Sequence, residues 1–456
     1  MKLGLENITR LLEHLGEPQR KFPALLVGGT NGKGSVTAFA SSILRSAGLS
    51  VGSFYSPHLF RVNERIRLNG DEIPSPVLDE IIGELRVWYE RAPFTFFECL
   101  TAAAVLYFVR AGVDIAVFEV GLGGRLDATR IVNAIATVVT GISRDHSEHL
   151  GATHQRILRE KLGIVRRGVP LVANLKRKAL LRYASRYCRK EEVPLHSVRD
   201  EVVAEMTRLE PDGMTVELET PLTKYGAMET RMIGMQQVGN IATAVLAVEV
   251  LAACASPGEP MSAVERETAA RPTGSVGNYG VPGALRAGRL PPEAVRDGIR
   301  SAFLPGRFQV LPGKPRIIVD VSHNEDALLA SLNTLLEMSP RERNVLVFGV
   351  MANKELGTFP RRALRAGREV ILTPLGSERG APIESLLECF TGAAGDRSAG
   401  RGSMEVRGAG EMGRGSIRAV RGVGEAVRTA RRILRPDDTL LILGSHITVE
   451  EAAAYL

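Results

Sequence analysis

The sequence predicts an α/β protein of two domains. The N-terminal domain carries a phosphate loop on a mostly parallel sheet, and the C-terminal domain is Rossmann-like α/β. Three observations predict this. An apolar run at 24–27 leads through a glycine-rich turn into a helical stretch. Further apolar runs alternate with helical patterns, as a parallel sheet covered on both faces requires. A second alternation of the same kind begins near residue 305.

In chain order, 24–27 (ALLV) reads as a buried strand and Ser35 to Ala47 as the helix after the turn. A helix over Glu98–Arg110 precedes a second buried strand, 114–120, and 134–142 reads as a third. In the C-terminal half, strands are expected at 316–321, 344–350, 369–373 and 439–443. The domains are expected at 1–300 and 301–456, divided just before Pro305. Two segments, 255–293 (Gly, Pro, Ala and Ser) and 391–424 (Gly and Arg), read as loops or insertions.

The 456 residues are 44% hydrophobic, enough for a sizeable core, and carry a net charge of +7, which suits anionic ligands in general. Cys99, Cys188, Cys254 and Cys389 are scattered, which argues against a zinc knuckle or disulfide framework and fits a reducing compartment. The first twenty residues mix charges with apolar residues, unlike a signal peptide. No uncharged apolar stretch approaches the ~20 residues of a membrane span. A cytoplasmic protein is expected. The Arg-rich segment has no interleaved aromatics, so no nucleic-acid partner is expected.

The strongest signal is Gly28-Gly29-Thr30-Asn31-Gly32-Lys33-Gly34-Ser35. Glycines let the backbone curl around an anion, the helix N-terminus adds positive potential, and Lys33 adds a point charge. This is a P-loop ATPase signature with two departures. Gly34 takes the usual Ser/Thr place, and the spacing before Gly32 is one residue short. Glu119 ends a buried strand, where open α/β sheets place their ligands, and an acid there is costly unless paired or metal-bound.

The loop resembles that of the Mur ligase superfamily, its folate branch in particular. Ser56-Pro57-His58-Leu59 with Asn63-Glu64-Arg65-Ile66, Thr95-Phe96-Phe97-Glu98, Gly121 to Thr129, Asp145-His146 and Arg159 to Ile164 follow in family order. The resemblance implies a dihydrofolate synthase/folylpolyglutamate synthase fold and an ATP-dependent amide ligase. Its partners would be ATP, L-glutamate, and dihydropteroate or a reduced folate, with both activities in one monomeric chain.

By that resemblance, Thr30, Asn31, Gly32, Lys33, Gly34 and Ser35 hold ATP, together with Asn240, Arg307 of Pro305-Gly306-Arg307, and Asp320. Ser56, Glu119 and His146 hold Mg²⁺. Lys161, if carbamylated, helps hold a second ion, for which the amine must be neutral. Lys33, Lys161 and His323 are the catalytic set, with His323 near the glutamate. Thr95, Phe96, Phe97, Glu98 and Leu126 line the acceptor site, and Ser445 meets the glutamate. Closure of the C-terminal domain would exclude water. The sequence departs from the family at Gln236 (a His place), Glu325 (a Pro place) and His446-Ile447-Thr448. A ligase of the same branch with only the polyglutamate activity, a peptidoglycan-precursor ligase, a non-catalytic nucleotide-binding relative and an RNA-binding protein are the competing readings.

Overall fold

The computed structural model describes residues 4–89, 93–145, 147–151, 153–255, 289–394, 405–406 and 415–456. Most of 255–293 and 391–424 lies outside them. By contacts the chain divides into two compact units. The first comprises Met1–Thr207, Thr215–Thr230 and Gln237–Phe303. The second comprises Arg208–Met214, Arg231–Gln236 and Leu304–Leu456.

The first unit holds β1 (Ala24–Gly28), β2 (Val51–Phe54), β3 (Ile66–Leu68), β4 (Asp71–Glu72), β5 (Ile115–Glu119), β6 (Ala134–Val139), β7 (Leu171–Ala173) and β8 (Leu195–Ser197). They form one sheet in the order β4-β3-β2-β5-β1-β6-β7-β8. Every pair from β2 to β8 is parallel, and β3 and β4 close one edge antiparallel. All five residues of β1 and of β5 are buried, as strands covered on both faces must be. An aromatic group of Phe22, Phe54, Phe108 and Phe118 packs the core on one face. Three antiparallel strands, β9 (Val203–Glu210), β10 (Gly213–Glu219) and β11 (Lys224–Thr230), form a separate meander.

The second unit holds β12 (Gln309–Leu311), β13 (Arg316–Asp320), β14 (Asn344–Phe348), β15 (Glu369–Leu372), β16 (Glu405–Val406), β17 (Ser416–Ala419) and β18 (Thr439–Leu443). Their order is β12-β13-β18-β14-β15-β17-β16, parallel from β13 to β17 with an antiparallel strand at each edge. Phe348, Phe359 and Phe390 pack its core.

The expected strands are present with ends shifted by a few residues. The sequence holds no uncharged apolar stretch of span length, and one helix comes near it. The helix Met235–Ala255 contains a window, Met235–Cys254, long and apolar enough to cross a membrane by composition. Its one charged residue, Glu249, interrupts the apolar run. The helix is mostly buried within the protein, as a core helix is.

Candidate active site

The phosphate loop springs from the carboxyl end of β1, with the ends of β5 and β6 on either side. It reverses at Gly32, where φ is 89° and where an added Cβ would lie 2.3 Å from Asn240 Oδ1. Gly29 has φ of 140°, and a Cβ there would sit 1.8 Å from Thr140 Oγ1. Both positions therefore require glycine. The loop is braced from β6. Thr30 N–H donates to the Gly141 carbonyl at 2.9 Å, Thr30 Oγ1 to the Ser143 carbonyl at 3.3 Å, and Thr140 Oγ1 to the Asn31 carbonyl at 2.7 Å. Asn31 Nδ2 donates to Ser143 Oγ at 3.2 Å. The helix Lys33–Ser46 follows directly, so the N–H groups of Lys33, Gly34 and Ser35 open its first turn without intrahelical acceptors. Lys33 Nζ folds back to the Thr30 carbonyl at 3.2 Å. Asn240 lies against the loop at Gly32, oriented by donating to Gln237 Oε1 at 2.8 Å.

Glu119 ends β5 and is buried beside Val27. Its Oε2 accepts the Ser56 N–H at 3.1 Å, which brings the Ser56 loop to the strand end. Arg65 stands behind them. Its Nε donates to His58 Nδ1 at 2.9 Å, its guanidinium lies 5.5 Å from the Phe96 ring centre, and its charge acts on Glu119 and Glu64.

Lys161 is on the helix His154–Leu162 and is only 4% exposed. Its Nζ donates to the Gly29 carbonyl at 2.6 Å, so it meets the phosphate loop from below. Burial first, and then the charge of Lys33, lower its pKa to about 7, while Asp145 and Asp127 pull the other way. A large share of this lysine is therefore the neutral amine near neutral pH. Asp127 is fixed by Leu122 N–H at 2.8 Å and by Thr129 N–H and Oγ1 at 3.0 and 2.6 Å. The Gly-rich segment packs directly on the lysine's helix: a Cβ on Gly124 would lie 2.9 Å from the Lys161 carbonyl oxygen.

Thr95 and Glu98 form a capping box on the helix Phe96–Ala111: Thr95 N–H donates to Glu98 Oε2 at 2.8 Å, and Glu98 N–H to Thr95 Oγ1 at 3.3 Å. Phe97 packs over Gly121 and near Phe54, whereas Phe96 is 61% exposed. Leu126 is half-buried in the Gly-rich segment.

In the second unit, Asp320, Gly349 and Ser445 stand at the carboxyl ends of the adjacent strands β13, β14 and β18. Asp320 accepts from Ser322 N–H at 3.1 Å and from Ser331 Oγ, and burial raises its pKa against those bonds and the charge of Arg307. Arg307 Nε is buried without a hydrogen-bond partner. Ser445 caps the helix His446–Ala453, accepting Thr448 N–H at 3.2 Å. The His323 and His446 rings are 5.9 Å apart. Glu325, in the family's Pro place, accepts from Thr358 N–H at 2.7 Å and Oγ1 at 2.8 Å. His146 lies outside the described residues.

The chain's residues 27–248 match the Mur ligase middle domain, and 306–446 match the Mur ligase glutamate ligase domain. It is 30% identical over 455 residues to the dihydrofolate synthase/folylpolyglutamate synthase of Escherichia coli, covering 98% of this chain and 90% of that protein. The chain belongs to the Mur ligase family, in its dihydrofolate synthase/folylpolyglutamate synthase branch. It is also 32% identical over 461 residues to a probable bifunctional folylpolyglutamate synthase/dihydropteroate synthase of Haloferax volcanii. That match covers 99% of this chain but 48% of the relative, so the chain spans about half its length. The structure of Escherichia coli FolC in complex with DHPP and ADP superposes with a TM-score of 0.78 at 27% identity, covering 100% of this chain and 93% of that one.

For this Mur ligase, the donor chemistry at the end of β5 fits Mg²⁺. Glu119 and Ser56 offer hard oxygen ligands, and Mg²⁺ keeps several waters. Among the described residues no three His, Cys, Asp or Glu side chains gather as a metal cage. Arg65, within Asn63-Glu64-Arg65-Ile66, and Thr140 and Ser143 at the end of β6 add to the residues expected from the sequence; their polar types at strand ends are the signal for them.

Proposed function

We propose that the chain is an ATP-dependent ligase joining L-glutamate to dihydropteroate, making dihydrofolate, and to reduced folates, lengthening their glutamate tails. The observation that carries this is Lys161. It is a buried lysine, with its pKa near 7, hydrogen-bonded to the carbonyl of a phosphate-loop glycine. Such a group is built for phosphoryl chemistry rather than for a surface. It stands in a chain of the folate branch of the family.

The chemistry follows from poor reactivity. A carboxylate is a weak acyl donor because oxide leaves badly. The acceptor's carboxylate attacks the γ-phosphorus of ATP, the bond to ADP breaks, and an acyl phosphate forms. The glutamate amine then attacks the acyl carbon, phosphate leaves, and the nitrogen loses a proton. Thr30 to Ser35 hold the nucleotide through backbone N–H groups, and Lys33 offsets charge developing on phosphate oxygens. Ser56 and Glu119, with His146 in the family's third place, would hold Mg²⁺, which would supply counter-charge to the phosphates. Carbamylated Lys161 would provide an anionic oxygen donor for a second ion. Asn240, Arg307 and Asp320 are assigned to the nucleotide. Arg307 has an unpartnered buried Nε to offer.

Thr95 and Glu98 act by fixing the start of their helix, while exposed Phe96 and half-buried Leu126 supply apolar contact to the acceptor. His323 is assigned to the glutamate, and Ser445 acts through the helix it caps. A cytoplasmic location goes with this reading. The acyl phosphate is tested with acceptor labelled with oxygen-18 in its carboxylate. The released phosphate must carry the label. Unlabelled phosphate during normal turnover would contradict the mechanism.

A further inference from the structure

Away from the phosphate loop, two arginines meet without an acid between them. Arg130 lies on the 3-10 turn Ala128–Ile131, three residues after Asp127. Arg166 lies five residues after Lys161 on the connection to β7. Arg166 Nη2 donates to the Arg130 carbonyl, which locks the two segments together. Both side chains are half-buried. Burial and the charge of Arg130 lower the Arg166 pKa, with no carboxylate acting against them.

The neighbours behave differently. Arg125 is paired with Glu160 and Arg167 with Glu192, and both arginines are more exposed. Neither Arg130 nor Arg166 pairs with a described acid. The unsatisfied polar atoms on this stretch of chain are donors. Arg130 Nε is buried without an acceptor, and so is Nδ2 of Asn133, three residues on. Tyr187 lies near enough for the Arg130 charge to act on its hydroxyl. Two partly desolvated cations with no acid between them, one with a buried Nε lacking an acceptor, cost free energy that an anion would recover.

We propose that Arg130 and Arg166 form a binding site for a small oxyanion, phosphate or carboxylate, separate from the phosphate loop. Arginine forks match both chemistries in a planar, two-point fashion. Both segments run directly from the loop and helix that carry Asp127 and Lys161. An anion bound there braces those two against each other.

The test is thermal melting of the full chain with sodium phosphate at constant ionic strength, chloride serving as control. The phosphate loop is first filled with Mg²⁺ and a non-hydrolysable ATP analogue. The expected result is a phosphate-dependent rise in melting temperature. R130Q and R166Q each lose that rise while keeping the rise caused by the nucleotide. Should either glutamine variant fail to respond to nucleotide, R130K and R166K take its place. These keep the charge and lose the fork, and phosphate affinity measured by calorimetry should fall about tenfold. Glutarate in place of phosphate separates the sources: a response to glutarate alone assigns the site to a carboxylate chain, and a response to phosphate alone to the inorganic ion. A rise matched by chloride, a rise undiminished in the variants, or silence toward both anions overturns the site.

Discussion

A lysine buried beside another lysine is strained toward its neutral form, and Lys161 illustrates what that does. Its pKa falls from 10.5 to about 7 through burial and the nearby charge of Lys33. Between those values the unfolded chain holds a proton on this residue that the folded chain does not. Stability therefore rises with pH across that window, and the residue's contribution is least favourable below pH about 7. In bicarbonate-free buffer, K161M should flatten the rise of unfolding free energy with pH in that range. An unchanged slope would contradict the buried neutral lysine. The neutral amine is also the form that reacts with carbon dioxide. Carbon-13 bicarbonate should give a carbamate resonance in the wild type that K161R lacks. K161R should also lower turnover by about 10²- to 10³-fold, measured as ADP release, if the group stabilises developing phosphate charge.

At the scale of elements, two short segments carry separable duties. Gly32 turns the loop at φ 89° with Asn240 Oδ1 2.3 Å from where a Cβ would sit. G32A should cost about 1–3 kcal/mol in stability and weaken ATP binding together, read by denaturant melts and nucleotide titration. Thr95 has the opposite profile. Its hydroxyl and amide are committed to the capping box with Glu98. T95A should cost about 1 kcal/mol of stability and leave ATP affinity alone, whereas T95S should restore the cap. A T95A chain of full stability that has lost acceptor binding would instead make Thr95 a direct ligand. The Thr95-x-x-Glu98 spacing announces this cap in the sequence, so the structural reading was available beside the substrate one.

Over the whole molecule, the parts of the fold with the least ambiguous pattern were the easiest to read. Continuous apolar runs such as Ala24–Gly28, Ile115–Glu119 and Thr439–Leu443 admit only a doubly covered strand when helices flank them. Harder was β2, four residues including Gly52, where a Cβ would lie 2.7 Å from the Phe108 ring. Its strand character comes from pairing with β3 and β5 and not from propensity. The meander is hard to read because its strands are rich in charge, although Met214, Val216 and Leu218 alternate on the buried face of β10. At the site, glycines and Lys33 were legible from spacing. The contacts of Lys161 with Gly29 and of Arg65 with His58 were not, because they join segments 132 and 7 residues apart by side-chain direction alone.

The central claim is amide ligation driven by ATP. Its most direct test offers purified protein Mg²⁺, ATP and L-glutamate with either 7,8-dihydropteroate or tetrahydrofolate, and follows ADP. Glutamate-dependent release with both acceptors is the predicted result. No release with either, from protein that still binds ATP, would contradict it.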